Sequence, residues 1–180
     1  MKTAVIYTSK TGFTRRYAQW IAGAVGADCL ELKQARDRNF SEYDAIVFGG
    51  WVCAATVRHL YWFVRQLPRW TGKRLIAFAV GGSPAGSPDI PGFMEKTFGT
   101  EALRAVSAFY CPGGLSYENM GAPSRAMMKL FVRSVAARKD KKPHEEEAAR
   151  MMARSYDLSD RKYIEPILAL LRDGGEDGQQ

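Results

Sequence analysis

The chain begins with a short apolar strand, followed directly by a loop rich in hydroxyls and then by a helix. Residues Ala4–Tyr7 favour a buried strand, and the helix predicted over Phe13–Val25 starts within the loop. Four side-chain hydroxyls lie in this stretch, on Thr8, Ser9, Thr11 and Thr14. Because the first turn of a helix carries unpaired N–H groups and the positive end of the helix dipole, the segment predicts an anion site that suits a phosphate monoester.

The order of residues in this loop narrows the kind of phosphate site. The run Ser9-Lys10-Thr11-Gly12-Phe13-Thr14 contains one glycine, so it matches neither the Walker A pattern nor the three-glycine loop of dinucleotide-binding folds. It resembles the S/T-x-T-G-x-T phosphate loop of flavodoxins. The resemblance implies that all six residues, Ser9, Lys10, Thr11, Gly12, Phe13 and Thr14, hold the phosphate of flavin mononucleotide (FMN). An ordinary strand-to-helix turn with polar capping residues remains the alternative.

Apolar runs alternate with helical stretches along the chain, which is typical of a parallel α/β sheet. The predicted strands are Thr3–Tyr7, Cys29–Leu32, Ala45–Gly49, Leu75–Val80 and Ala105–Cys111. Helices are predicted at Phe13–Val25, Thr56–Leu67 and near Gly92–Phe98. With right-handed crossovers, the fold class is α/β: a flavodoxin-like three-layer sandwich, with a five-stranded parallel sheet in the order 2-1-3-4-5 and helices on both faces. We expect one domain over residues 1–173, a helical insertion over 113–158 and a disordered tail over 174–180.

Two further loops are expected beside the first, because ligands of open parallel sheets bind at the carboxyl ends of the strands. The loop after strand three supplies Gly50, Trp51, Val52, Cys53 and Ala54, where Trp51 either stacks on a flavin ring or covers the end of the sheet. The loop after strand four supplies Gly81, Gly82 and Ser83 but no aromatic residue. Flavodoxins often have an aromatic side chain there, so one flavin face is expected to be more open or to be covered by another residue such as Tyr117.

Few residues suggest any chemistry other than that of a flavin. The three cysteines are widely spaced and the two histidines, His59 and His144, are far apart in the sequence, so neither a disulfide framework nor a metal site is expected. Cys53 has no evident activating partner, and no catalytic residue can be assigned. Because Met1 leads directly into a strand, no secretory signal is expected, and the cytoplasm is the expected location.

The positive charge is concentrated in one segment. The chain has a net charge of +7, and between Gly121 and Pro143 seven basic residues stand against Asp140 alone. A helix predicted over Ser124–Arg138, with Ser124 as its N-cap, places Arg125, Lys129 and Arg133 in one stripe. Its apolar residues, which include Met127 and Phe131, are expected to pack on the sheet. For the basic residues we expect an anionic partner, such as a membrane surface contacted through residues 124–142, and no motif indicates nucleic acid.

The later segments Phe109–Met120 and Ser124–Lys142 resemble the insertion region of flavodoxin-domain proteins related to menaquinone-dependent protoporphyrinogen oxidase, and Asp157–Leu168 resembles their closing helix. The resemblance implies an FMN-dependent oxidoreductase that passes electrons between a small organic substrate and a quinone or other acceptor, at the inner membrane face. A flavodoxin-type electron carrier for an acidic protein partner is the second hypothesis. A flavin-free interaction domain is the third.

Overall fold

The computed structural model describes residues 1–138, 146 and 150–173. The strands are β1 (Thr3–Tyr7), β2 (Asp28–Glu31), β3 (Ala45–Cys53), β4 (Thr56–Val57), β5 (Arg74–Gly81), β6 (Val106–Pro112), β7 (Gly114–Leu115) and β8 (Tyr156–Asp157). The helices are α1 (Phe13–Val25), α2 (Leu32–Ala35), α3 (Leu60–Gln66), α4 (Asp89–Phe98), α5 (Ala122–Ala137) and α6 (Glu165–Arg172). Short 3-10 turns lie at Leu67–Trp70, Glu101–Leu103 and Arg161–Ile164.

Five parallel strands form the central sheet in the order β2-β1-β3-β5-β6, which confirms the predicted topology. In the register of the sheet, Tyr7 pairs with Gly49 and Gly49 pairs with Phe78. The carboxyl ends of β1, β3 and β5 are therefore adjacent, and the segments that follow them start from one edge of the sheet.

The sheet separates two apolar layers, as the three-layer prediction requires. On one face, α1 and α6 pack through buried residues such as Tyr17, Ile21 and Ile167. The other face is covered by α3 and α4 and is rich in aromatic rings, with Phe48 stacked on Phe63 at a centroid distance of 5.1 Å. The central strands are therefore packed between two apolar layers, which places their carboxyl ends side by side.

The segment after strand three differs from the predicted loop. Strand β3 continues to Cys53 and forms a hairpin with the antiparallel β4, so Gly50, Trp51, Val52 and Cys53 lie in a strand. Only Ala54 and Ala55 form the turn, both in the left-handed region with φ of 50° and 57°. Two consecutive left-handed residues match the twist of a tight hairpin. The following helix therefore starts at Leu60 rather than at Thr56.

The basic helix α5 also differs from its prediction. It begins at Ala122 with Gly121 as its N-cap and Pro123 in its first turn, so Ser124 lies inside the helix and does not cap it. Met128, Val132 and Val135 are half-buried. Met127 and Phe131, which were expected to pack on the sheet, are exposed instead, and no described side chain of α5 is fully buried.

The chain returns from the insertion through a second, two-stranded sheet. Leu115 of β7 pairs with Tyr156 of β8 in antiparallel fashion. The sequence leaves open whether Pro166 kinks a helix within Ser159–Arg172 or marks a start at Glu165, and helix α6 begins at Glu165 with Pro166 in its first turn. Pro143 is a further predicted helix start, and residues 143–145 and 147–149 of that segment lie outside the described residues, as does the expected tail over 174–180. Within the described part of the chain, no helix combines the length and the apolar character needed to cross a bilayer.

The packing of Gly49 gives a test of the sheet register. We expect Gly49→Ala to lower the free energy of unfolding by about 1–3 kcal/mol, because an added Cβ would lie 2.1 Å from the ring of the fully buried Phe78. The matched control is Gly23→Ala in α1, where nothing lies within 4 Å of the added methyl group. The free energy of unfolding of this control should rise by about 0.5–1 kcal/mol. Urea unfolding followed by circular dichroism measures both, and a Gly49→Ala protein as stable as the wild type would contradict the register.

Candidate functional site

The loop between β1 and α1 is fixed to the sheet and to itself. The Thr8 N–H donates to the Gly49 carbonyl of β3 at 2.9 Å, which holds the start of the loop against the neighbouring strand. The Gly12 N–H donates to Ser9 Oγ at 3.1 Å and closes the loop. Gly12 has a φ of 100°, a conformation that side chains oppose. The single glycine of the motif therefore stands where the backbone requires it.

The N-terminus of α1 has unpaired N–H groups. The Arg16 N–H is the first in the helix to reach a carbonyl, that of Gly12 at 3.0 Å. Within the described residues, the N–H groups of Phe13, Thr14 and Arg15 have no hydrogen-bond partner, and no side chain caps the helix. Its first turn contains no acidic residue that would oppose an anion. Together with the positive helix dipole, these groups form a site suited to a phosphate.

Thr14 gives the most specific indication of a ligand. The residue is 1% exposed, and its hydroxyl oxygen is buried with no hydrogen-bond partner among the described residues. An unpaired buried hydroxyl costs about 1–3 kcal/mol. A phosphate oxygen at the helix N-terminus would supply the missing partner, so the residues present fit the phosphate of FMN.

A cavity of about 240 Å³ lies beside this loop. It is lined by Tyr7, Ser9, Lys10, Thr11, Gly12, Arg15, Glu31 and Asn119. Sites for whole drug-sized ligands usually measure about 300–1,000 Å³. The cavity is therefore smaller than the usual site for a whole cofactor, and its position beside the loop suits a phosphate.

Sequence reasoning did not identify four of the residues that line the cavity. Tyr7 and Glu31 are the last residues of β1 and β2 and pair with each other in the sheet. Because ligands bind at the carboxyl ends of parallel strands, the positions of both residues could have been predicted. Arg15 lies in the first turn of α1. Asn119 comes from the distant insertion, where its amide nitrogen donates to Ser116 Oγ at 3.0 Å, and no sequence signal points to it.

Trp51 lies beside the phosphate loop, and two cationic side chains lie close to its ring. Lys10 Nζ is 5.6 Å from the centroid of its ring and Arg58 Cζ is 5.8 Å from it. Lys10 Nζ also donates to Ser124 Oγ at 2.5 Å, which connects the phosphate loop to α5. The half-buried Trp51 is thus close enough to the loop to contact a ligand bound there. Lys10 belongs to the loop and contacts both the Trp51 ring and Ser124 of α5.

The rest of the β3–β4 hairpin has structural reasons for its residues. A Cβ on Gly50 would lie 2.5 Å from Val57 Cγ1 and 2.8 Å from the Arg58 carbonyl oxygen, so hairpin packing alone requires this glycine. Val52 and Cys53 pair with β4, and Ala54 is exposed at the turn. The roles predicted for these residues in flavin binding stay predictions. No cluster of histidine, cysteine and carboxylate side chains in the described residues could hold a metal ion.

The segment after β5 is closed by tyrosines from other parts of the chain. Tyr110 donates to the Ser83 carbonyl at 2.9 Å and accepts from the Ser83 N–H at 3.1 Å. Tyr156 donates to the Gly82 carbonyl at 2.8 Å. Burial raises the pKa of both phenols to about 12, so both remain protonated donors at neutral pH. Because a Cβ on Gly81 would lie 2.5 Å from the Tyr110 hydroxyl, this glycine too is explained by packing.

Part of the backbone of this loop is hydrogen-bonded within the protein, and the flavin contacts predicted for Gly81, Gly82 and Ser83 stay predictions. The Ser83 N–H and the carbonyls of Gly82 and Ser83 already have partners inside the protein. Tyr117, expected as a substitute aromatic residue, donates its hydroxyl to the Met152 carbonyl at 2.7 Å. The structure therefore brings the phosphate loop and Trp51 together, while the third loop is occupied by Tyr110 and Tyr156.

A family model described as a flavodoxin domain matches residues 4–142 of the chain. No curated protein sequence matches the chain. Neither result points to protoporphyrinogen oxidases.

Solved structures give weaker similarities. The Trp repressor binding protein of Bacillus subtilis is 15% identical, with 78% of this chain and 100% of that chain covered and a TM-score of 0.45. A Lactobacillus acidophilus flavoprotein in complex with FMN is 14% identical, with 62% and 91% covered and a TM-score of 0.43. A flavodoxin from the domain Archaea is 14% identical, with 84% and 94% covered and a TM-score of 0.38.

Replacing Thr14 by valine tests the site without changing its shape. We expect Thr14→Val to raise the stability of the ligand-free protein by about 1 kcal/mol, because the unpaired buried hydroxyl is removed. The same change should raise the FMN dissociation constant about tenfold, the equivalent of ~1.4 kcal/mol. Thermal unfolding and quenching of FMN fluorescence measure the two effects.

The matched control is Thr71→Val, whose exposed hydroxyl donates to the Pro68 carbonyl at 3.1 Å, before the amino end of β5. This variant should bind FMN as the wild type does. If Thr14→Val left FMN affinity unchanged, the hydroxyl would not contact the phosphate.

Proposed function

The chain belongs to the flavodoxin-domain family, and from that premise we propose that it is an FMN-dependent oxidoreductase that moves electrons between a small organic substrate and a quinone or other acceptor. Family membership supports FMN as the cofactor and redox chemistry as its use. The substrate and the acceptor are the proposed part. The buried, unpartnered Thr14 hydroxyl at the N-terminus of α1 is the observation that carries the proposal.

In this proposal the phosphate loop contributes most of the binding energy. The N–H groups of Phe13 and Thr14 and the Thr14 hydroxyl donate to phosphate oxygens. Lys10 supplies a positive charge at the same place. The Phe13 side chain is buried in the core and contributes through its backbone alone.

Trp51 would orient the flavin ring. Aromatic rings stack with gains of about 0.5–1.5 kcal/mol beyond the burial of their area. When bound, the flavin supplies the electron transfer, and the protein holds it and controls what reaches it.

Few of the residues that line the cavity could act as a general acid or a general base. Glu31 and Tyr7 are its titratable groups besides the cations, and no histidine lines it. Burial raises the pKa of the Tyr7 phenol, so Tyr7 is a proton donor at neutral pH and no base. A reaction in which the flavin does the chemistry, such as reduction of a quinone, therefore suits the site better than one that needs a protein base.

An electron carrier for a protein partner is the second candidate. The exposed cations of α5 support an acidic partner for it. A porphyrinogen substrate, whose carboxylates could contact the same cations, is suggested only by the sequence of the insertion.

Reoxidation of the reduced flavin separates these candidates. We expect the FMN-loaded protein, reduced anaerobically, to be reoxidised at least tenfold faster by a menaquinone analogue than by an acidic ferredoxin at equal concentration. Stopped-flow absorbance of the flavin measures both rates. A faster reaction with the acidic protein would favour the carrier, and failure of the purified protein to bind FMN would overturn both.

A further inference from the structure

Helix α5 exposes an apolar stripe that nothing in the described protein covers. Met127, Leu130 and Phe131 lie at the i, i+3 and i+4 spacing of one helix face and are 60%, 65% and 48% exposed. The other large apolar side chains with comparable exposure are Met1 and Tyr61, which are far apart in the sequence. A contiguous apolar stripe, unlike scattered exposed residues, indicates a contact surface.

The same helix carries a second stripe that is basic. Arg125, Lys129 and Arg133 are exposed and lie at i, i+4 and i+8. Helix α5 contains no acidic residue, and within the described residues no carboxylate lies at salt-bridge distance from these three cations. Arg125 donates to the Met120 carbonyl at 3.2 Å and acts electrostatically on Glu118, so Lys129 and Arg133 offer the freer charge to an external anion.

The arrangement of the two stripes defines one contact surface. At about 100° per residue, the half-buried Met128 and Val132 point toward the protein. Seen along the helix axis, the apolar stripe lies to one side of these two residues and the basic stripe to the other side. Between them, on the outermost side of the helix, are the small exposed side chains of Ala126 and Ala137. A flat anionic surface that approaches α5 from outside can reach both stripes.

We propose that α5 docks the protein on an anionic lipid bilayer, with Met127, Leu130 and Phe131 entering the boundary of the acyl chains and the three cations contacting headgroup phosphates. Helices that lie in the membrane interface combine an apolar face with lysines and arginines in this way. Long basic side chains can extend back to the headgroups while the helix lies at the interface.

A bilayer fits this helix better than an acidic protein does. Protein interfaces are enriched in methionine, phenylalanine and arginine as well as in tyrosine and tryptophan, but their cores are depleted in charged residues, whereas interfacial helices combine apolar and basic side chains. On helix α5 the exposed Met127, Leu130 and Phe131 protrude together, with three exposed cations on the same helix. Fluid lipid adapts to such protrusions, whereas a protein partner would need matching pockets.

The location of α5 relates the proposal to the redox site. Ser124 in the first two turns of α5 accepts the hydrogen bond from Lys10, so the end of the helix that carries Ser124 lies beside the phosphate loop. Docking through α5 would therefore bring the flavin site near a membrane, where quinones dissolve. The docking itself needs no FMN, so it does not rest on the proposed function.

Vesicle flotation with the full chain tests the proposal. We expect the protein, with and without FMN, to float with vesicles of phosphatidylglycerol and phosphatidylcholine and to stay behind with vesicles of phosphatidylcholine alone. The charge-reversal variant R125E/K129E/R133E should lose at least ~100-fold in affinity, since each basic residue near an anionic surface contributes about 1 kcal/mol, or about fivefold. The variant M127Q/L130Q/F131Q should lose at least ~10-fold.

Matched controls change equally exposed residues elsewhere. R69E/K96E/R104E makes the same change in net charge away from α5, and Tyr61→Gln removes the most exposed large apolar side chain, at 72%. Both should bind anionic vesicles within about twofold of the wild type if local rather than global charge decides binding. Circular dichroism verifies that every variant is folded.

Three results would overturn the proposal. One is failure of the wild-type protein to bind anionic vesicles, whether or not it binds an acidic redox protein. Another is a pair of α5 variants that bind as the wild type does. The third is equal loss of binding in the R69E/K96E/R104E control. FMN titration of the same samples is a separate readout, so a protein that fails to bind FMN would leave the vesicle result intact.

Discussion

The parallel register of β1, β3 and β5 is the constraint on which the site depends. The hydrogen bond from the Thr8 N–H to the Gly49 carbonyl carries this register beyond the end of β1. It fixes the loop, and the loop in turn fixes the direction of α1. Gly49 can lie against Phe78 only because it has no side chain. The same residue therefore allows the core to pack and accepts the hydrogen bond that fixes the loop. The unpaired N–H groups of α1 then point to one place.

The central sheet could be predicted because its inner strands β1, β3 and β5 contain apolar runs that are buried on both faces. Strand β1 and helix α1 have the bounds that their patterns indicate. The end of β3 could not be predicted in the same way. Its hairpin turns through Ala54 and Ala55, and alanines in the left-handed region carry none of the Asn-Gly or Asp-Gly signal that usually marks such turns.

The site itself could be predicted in part. The phosphate loop follows from local sequence, since its hydroxyls, glycine and helix start are all within a few residues. The tyrosines that close the segment after β5 come from distant positions, Tyr110 and Tyr156, and only the folded chain brings them there. Similarly, the sequence of α5 shows an apolar and a basic stripe, but which apolar residues face solvent depends on the position of the whole helix.

The unpaired hydroxyl of Thr14 also has a consequence for the life of the protein in a cell. A chain that folds before it meets its cofactor retains this defect, and a ligand that binds only the folded state shifts the folding equilibrium toward it. Proteases remove chains in proportion to the time that they spend unfolded. The steady-state amount of the protein would then follow the supply of flavin, so that scarcity of the cofactor clears the apoprotein without any dedicated regulator.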